Sequence, residues 1–284
     1  MGKRAFIKPS LSVEDLSKAL YEANKELTLI NKQLQESEQR RQELLANLSH
    51  DLRSPIAIIK NYAEYLRSFS TLDEKEVYSA LEHIQSKVQL LEYFISEMLT
   101  LTNLDSASEG QLHYEHLKIG LFLEEFFFSA QADLRYKDCT LCLDVPPDFP
   151  YYANIETKLM YRVLDNLFTN ALRYSHPPRF IALDAQYQND TVIVSVTDKG
   201  IGISESDIGK IFGRTFKVSS ARTPDDSFGC GLGLSIVEAI VHKHKGQVWC
   251  ESTLGEGSTF FFTLPGVDPR EGTRPDALNA HTSK

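Results

Sequence analysis

Two stretches of this chain carry residue types suited to chemistry in combination. The first is Ser49-His50-Asp51-Leu52-Arg53-Ser54-Pro55, set inside a long run with helical periodicity. It offers an imidazole, the side chain that changes charge near neutral pH, with a carboxylate beside it. The second begins at Asn166. It supplies the asparagine pair Asn166 and Asn170, the turn Asp198-Lys199-Gly200-Ile201-Gly202, and the loop Gly229-Cys230-Gly231-Leu232-Gly233-Leu234.

Each piece of the second stretch has its own chemistry. Asn166 and Asn170 are i, i+4 and share a helix face. Their amide oxygens are hard ligands suited to Mg²⁺, which keeps waters and phosphate oxygens in its shell. Arg173 and Tyr174 follow, a cation for phosphate and a ring to lie beside a base. Taken alone, a polar helix face satisfied by water is the better reading. Asp198 ends a strand-like run, where a carboxylate can accept from an adenine amino group. Gly200 and Gly202 let backbone approach a flat ring, although Asp and Gly also make plain turns. The loop from Gly229 to Gly233 feeds a helix, and exposed N–H groups there bind phosphate with the helix dipole. It lacks the Gly-Lys-Ser/Thr ending of a P-loop and follows no strand, so it is not a dinucleotide fingerprint. The polar segment 213–228 suits a mobile lid, with Lys217 and Arg222 as its cations. A nucleophilic imidazole and a nucleotide pocket are the two halves of one group transfer.

The elements that must position these residues are legible in the periodicity. Leu16, Leu20, Ala23, Leu27, Ile30 and Leu34 step by 4 and 3, a heptad seam that predicts a parallel coiled coil. Apolar positions resume from Leu44 to Ile59, with a bend expected at Pro55, and this helix ends near 68–70. A second helix starts around Asp73, with the seam Val77, Leu81, Ile84, Val88, Leu91, Ile95 and Met98. Two such helices form a hairpin that cannot cover both stripes alone, so two copies make a four-helix bundle. Residues 103–115 read as a linker. Beyond it, strand-like runs at 140–145, 179–187, 191–198, 247–252 and 259–264 alternate with helical patterns near 120–135, 156–173 and 233–245. The fold class is therefore an all-α helical hairpin, dimerising as a four-helix bundle, followed by an α+β sandwich with helices on one face of a mixed sheet. From Pro265 onward the composition predicts disorder.

Composition narrows the classes. The 284 residues suggest two domains or one with extensions, and 42% apolar content supports a real core. A net charge of −9 argues against a nucleic-acid partner. Cys139, Cys142, Cys230 and Cys250 complete no zinc pattern and read as free thiols in a reducing compartment. Without an apolar run of spanning length or a signal peptide, the chain reads as cytoplasmic, either soluble or the cytoplasmic part of a membrane sensor.

In order and spacing, these motifs resemble the sensor histidine kinases of two-component signalling. His50-Asp51-Leu52-Arg53-Ser54-Pro55 matches the phosphoacceptor box, and 166–170 matches the N-x-x-x-N box. The first glycine box is at 198–202 and the second at 229–233. Gly255-Glu256-Gly257-Ser258-Thr259-Phe260 matches the closing strand pattern. The resemblance implies a Bergerat-type ATP-binding domain like those of gyrase, Hsp90 and MutL-type ATPases. It implies Mg²⁺ on Asn166 and Asn170. It implies ATP contacts from Arg173, Tyr174, Asp198, Gly200, Gly202, Lys217, Gly229, Gly231, Leu232, Gly233 and Thr259. His50 is then the phosphoacceptor, Asp51 takes its Nδ1 proton, and Ser54, at i+4, presents a hydroxyl to water. The implied partners are a second copy of the chain and the receiver domain of a separate response regulator. The implied division is a signalling helix over 1–39, a dimerisation and phosphotransfer domain over 40–105, a linker over 106–115, an ATP-binding domain over 116–265 and a tail over 266–284. Thr215 departs from the aromatic residue usual in Phe212-Gly213-Arg214-Thr215-Phe216-Lys217, which points to different lid packing. The alternatives are a Bergerat-fold ATPase and a nucleotide-binding scaffold without transfer. MutL-like relatives carry a water-activating glutamate where this chain has Asn166, which cannot act as a base at neutral pH.

Overall fold

The computed structural model describes residues 13–68, 73–106, 112–146, 148–213 and 231–267. They fall into two units divided after Asp51. Helix α1 (Val13–Ser68) is continuous across Pro55. In the first unit, Leu20, Leu27, Ile30 and Leu34 of the heptad seam are all exposed.

Helix α2 (Glu74–Ser106) opens on a capping box. The Asp73 amide donates to Glu76 Oε2 at 3.1 Å, and the Lys75 amide donates to Asp73 Oδ1 at 3.5 Å. Tyr62 of α1 and His83 of α2 face each other with ring centroids 4.8 Å apart, as a hairpin requires. The expected seam of α2 is only partly covered, with Leu81, Val88 and Ile95 exposed. A neighbouring stripe, Leu90, Phe94, Glu97, Leu101 and Leu104, is the buried one. It also steps by 4 and 3, but a glutamate interrupts its apolar pattern. α2 continues to Ser106, beyond the expected start of the linker at 103.

The C-terminal part is a seven-stranded mixed sheet in the order β1-β3-β7-β5-β4-β2, with β6 also paired to β7. Its strands are β1 (Glu115–Lys118), β2 (Cys139–Asp144), β3 (Tyr152–Ile155), β4 (Arg179–Gln188), β5 (Thr191–Asp198), β6 (Val248–Thr253) and β7 (Gly257–Val267). The helices are α3 (Ile119–Ala132), α4 (Thr157–Tyr174), the single turn α5 (Glu205–Ile208) and α6 (Gly233–Lys243). β2 pairs with β4 in parallel and every other pairing is antiparallel. α4 lies against β4 and β5, α6 against β6 and β7, and α3 against β1 and β2.

Alternation sets the buried face. Val192, Val194 and Val196 of β5, Ile181, Leu183 and Ala185 of β4, and Phe260, Phe262 and Leu264 of β7 all point into the core. They meet Met160, Val163, Leu164, Leu167, Phe168 and Ala171 of α4, which are buried almost completely. Phe168 is held edge-on by Phe126 of α3, with centroids 4.9 Å apart. β7 runs past Pro265, where irregular chain was expected, because Pro265 lies opposite Thr191 at the start of β5 and Gly266 and Val267 pair with β3. Residues 268–284 lie outside the described residues. β1 and β3, four residues each, and α5 had no counterpart in the sequence pattern.

Candidate functional site

The site is built where the ends of α4, β5 and the start of α6 meet. α4 is fixed at its first turn by Glu156, whose carboxylate accepts from the Leu159 amide at 2.7 Å. The Glu156 amide donates to His244 Nε2 at 2.9 Å, and His244 Nδ1 donates to the Ile240 carbonyl at 2.8 Å. One buried neutral imidazole thus locks the start of α4 to the end of α6. Burial pushes its pKa below the ordinary value, against weaker opposition from the Ile240 carbonyl and Glu156.

Opposite the apolar stripe of α4, Asn166 is buried and Asn170 half-buried. Asn166 Oδ1 accepts from the Tyr93 hydroxyl of α2 at 3.5 Å, while its Nδ2 is buried with no partner. A buried amide that leaves hydrogen-bonding capacity unused is costly unless something polar joins it. Gly233, the first residue of α6, closes this corner. A Cβ there would lie 3.0 Å from Asn166 Oδ1, so glycine allows α6 to start against the asparagine. Gly231 before it has φ +69, and Leu232 between them is fully buried. Ser235 Oγ donates to the Leu232 carbonyl at 2.8 Å and tightens the first turn of α6.

The first glycine turn is tied to the end of α4. The Ile201 amide donates to the Tyr174 carbonyl at 2.9 Å. Gly200 sits so close that a Cβ would collide with that carbonyl and lie 2.7 Å from Asp198 Oδ1. Asp198 Oδ1 accepts from the Gly200 amide at 2.7 Å. The carboxylate is nearly sealed from solvent, and burial raises its pKa against the amides of Gly200 and Ser258, which favour the ionised form. Gly202, at φ +66, backs onto the Thr253 carbonyl, and the Gly255 amide donates to the Ile201 carbonyl at 2.7 Å. The closing strand pattern is thereby stitched to the same turn. Thr259 faces Thr197 across β5 and β7, with hydroxyls 3.1 Å apart, one register position from Asp198.

Asn166, Asn170, Tyr174, Asp198, Gly200, Gly202, Gly231, Leu232, Gly233 and Thr259 therefore belong to one connected structure. Arg173 stacks its guanidinium over the Tyr174 ring at 5.5 Å, and Lys199 lies 4.7 Å over the Phe180 ring. Lys217, Arg222, Gly229 and Cys230 lie outside the described residues, as do Thr215 and Phe216. His50 and Asp51 are helical residues of α1, and their side chains too lie outside the described residues, whereas Ser54 is exposed. Cys142 and Cys250 are free thiols in β2 and β6, and Cys139 is free as well; burial pushes Cys250 up to about 12. The contributions of Tyr93, Glu97, Arg162 and His244 carry no motif. Only the second 4-3 stripe of α2 signals Glu97.

Comparison with known proteins agrees with this geometry. Residues 155–268 match the model of the histidine kinase-, DNA gyrase B- and HSP90-like ATPase family. Residues 40–107 match the His Kinase A phospho-acceptor domain. The sensor protein kinase WalK of Staphylococcus epidermidis is 31% identical over 234 residues, covering 81% of this chain and 37% of that protein. WalK of Staphylococcus saprophyticus is 32% identical over the same shares. The chain thus spans little more than a third of these relatives' length. Among solved structures, histidine kinase ThkA, in complex with response regulator protein TrrA, superposes with a TM-score of 0.65 at 21% identity, covering 83% of this chain and 66% of that one. Acinetobacter baumannii histidine kinase AdeS gives a TM-score of 0.58 at 22% identity over 76% of this chain and 97% of its own. Those likenesses bear on the fold alone; the two family matches lead to one conclusion, that the chain joins the phospho-acceptor and ATPase domains of the histidine kinases.

Proposed function

We propose that this segment transfers the γ-phosphoryl group of ATP to His50 and passes it to an aspartate on the receiver domain of a separate response regulator. The observation that carries the reading is the junction of the asparagine helix, the Asp198 turn and the glycine start of α6, held by Ile201–Tyr174 and by the close fit of Gly233 on Asn166. ThkA was solved with a response regulator and ShkA with AMPPNP, which supports the same partner class and nucleotide here.

Asp198 accepts from the adenine amino group, and Gly200 and Gly202 leave room for the flat base. The N–H groups at the start of α6 face the phosphates, helped by the helix dipole. Asn166 and Asn170 would hold Mg²⁺ through their amide oxygens, while the unpartnered Asn166 Nδ2 is a donor that suits a phosphate oxygen. When bound, the metal neutralises charge developing on the phosphates. Asp51 takes the Nδ1 proton of His50, so the Nε2 lone pair attacks phosphorus in line. The N–P bond forms as the bond to the β-phosphate oxygen breaks, and ADP leaves. Ser54, one turn after His50, presents its hydroxyl to water on the phosphoacceptor face.

Two copies complete the helical part. Leu81, Val88 and Ile95 form an exposed row at seven-residue spacing on α2, and Leu20, Leu27 and Leu34 form another on α1. Rows of this period are buried by a second helix of the same kind. The proposed division places signalling in 1–39, phosphoacceptance in 40–105, a linker in 106–115, nucleotide binding in 116–265 and a tail beyond. Among the described residues no helix is long and apolar enough to cross a membrane, in keeping with a segment that works on the cytoplasmic side.

Phosphotransfer profiling tests this reading. The chain, labelled with γ-labelled ATP and freed of nucleotide, is mixed with purified receiver domains. Rapid movement of label to one receiver supports the proposal. Label that leaves only as inorganic phosphate, whichever receiver is present, supports an ATPase instead.

A further inference from the structure

Two bridges one helical turn apart join α2 to α4. Tyr93 reaches Asn166 Oδ1 at 3.5 Å, and Glu97, four residues on, pairs with Arg162, four residues before Asn166. The i, i+4 spacing on both helices makes this a two-rung antiparallel ladder. Glu97 is the buried glutamate of the second α2 stripe, at 2% exposure. A carboxylate that deep in an otherwise apolar stripe is costly without its guanidinium, so Arg162 dictates where α2 docks on α4. Tyr93 then falls on the asparagine that the proposed chemistry needs. A Cβ on Gly233 would lie 4.0 Å from the Tyr93 hydroxyl, so α6 meets the ladder at the same corner.

We propose that α2 is a latch on the nucleotide site: Tyr93 and a divalent cation compete for the side-chain oxygen of Asn166, and the Glu97–Arg162 pair holds Tyr93 in place. This rests on the reading of Asn166 as the metal-side asparagine. In the latched arrangement the oxygen faces the Tyr93 phenol, whose hydroxyl is also within hydrogen-bond reach of Glu97. Mg²⁺-ATP competes with the phenol for that oxygen, so the nucleotide favours undocking of α2, and any signal that shifts α2 changes nucleotide affinity in return. The buried Asn166 Nδ2 without a partner keeps the latched state from being fully satisfied, which suits a contact made to open.

Calorimetric titration of the full chain with ATP, in Mg²⁺ and separately in EDTA, tests the latch. Tyr93→Phe keeps the ring and removes the hydroxyl. Affinity in Mg²⁺ is expected to rise about two- to tenfold, the worth of one neutral hydrogen bond, with affinity in EDTA unchanged. Glu97→Arg sets like charges together and should raise affinity at least as much. Adding Arg162→Glu should return it to the starting value. Circular dichroism checks that each variant folds, and Tyr93→Phe decides the matter if the charge variants do not. Equal affinities for the starting chain and Tyr93→Phe in Mg²⁺, or an equal gain in EDTA, would overturn the latch while leaving the nucleotide site standing. If neither protein binds ATP at all, the reading of the site itself falls, and the latch with it.

Discussion

The amide of Ile201 donates to the carbonyl of Tyr174 at 2.9 Å, tying the last residue of α4 to the first glycine turn. Two motifs separated by a whole hairpin are joined by one backbone hydrogen bond. The residue that permits it is Gly200, which leaves no room for a side chain against the same carbonyl.

Gly200→Ala should therefore damage both fold and site. Forcing a methyl group against a backbone carbonyl typically costs about 1–3 kcal/mol. Urea unfolding should register that loss, and calorimetry should show ATP affinity falling at least about tenfold as Asp198 and α4 move apart.

Asp198→Asn should separate stability from binding. The amide oxygen still accepts from the Gly200 amide, so the turn persists. Burial raises the Asp198 pKa, so ionising this carboxyl works against folding as pH rises through the folded value. The variant should be as stable as the parent near neutral pH, or more so, yet bind ATP at least about tenfold more weakly, because a charged acceptor is lost. Thermal unfolding and ATP titration on the same samples check both halves.

Acid should loosen the ATP-binding domain through His244. Its folded pKa lies below the ordinary value of about 6.5. The unfolded chain therefore binds the proton first, and stability falls as pH drops from that value toward the folded one. Protonation also removes the lone pair that accepts from the Glu156 amide. His244→Asn should cost about 1–3 kcal/mol at neutral pH and flatten the slope of urea midpoints between pH 7.5 and 5.

Val88→Asp should weaken self-association without harming the sheet. Val88 is 41% exposed in the chain described, midway along the row Leu81, Val88 and Ile95. A charge facing its symmetry mate has no partner. Sedimentation should show a shift from dimer to monomer, with ATP affinity retained.

Local pattern made much of this fold legible. The eight residues of β5 follow from strict alternation, and α4 from its apolar stripe. β1 and β3 were not legible, because Glu-His-Leu-Lys and Tyr-Ala-Asn-Ile are too short for a period and exist only by pairing, with each other and, for β3, with β7. The docking face of α2 was hidden by Glu97, which reads as solvated until Arg162 is seen opposite. Periodicity also assigns Asn166 and Asn170 to one face without naming what meets it. Gly233 and Tyr93 became its neighbours only through packing of α6 and α2.

The most direct test of the central claim is incubation of the chain with γ-labelled ATP and Mg²⁺, followed by acid and alkali treatment and by site mapping. The account predicts acid-labile, alkali-stable label on the peptide carrying His50, abolished in His50→Gln while that variant still binds ATP. Label of normal intensity in His50→Gln, or label stable to acid, would contradict it.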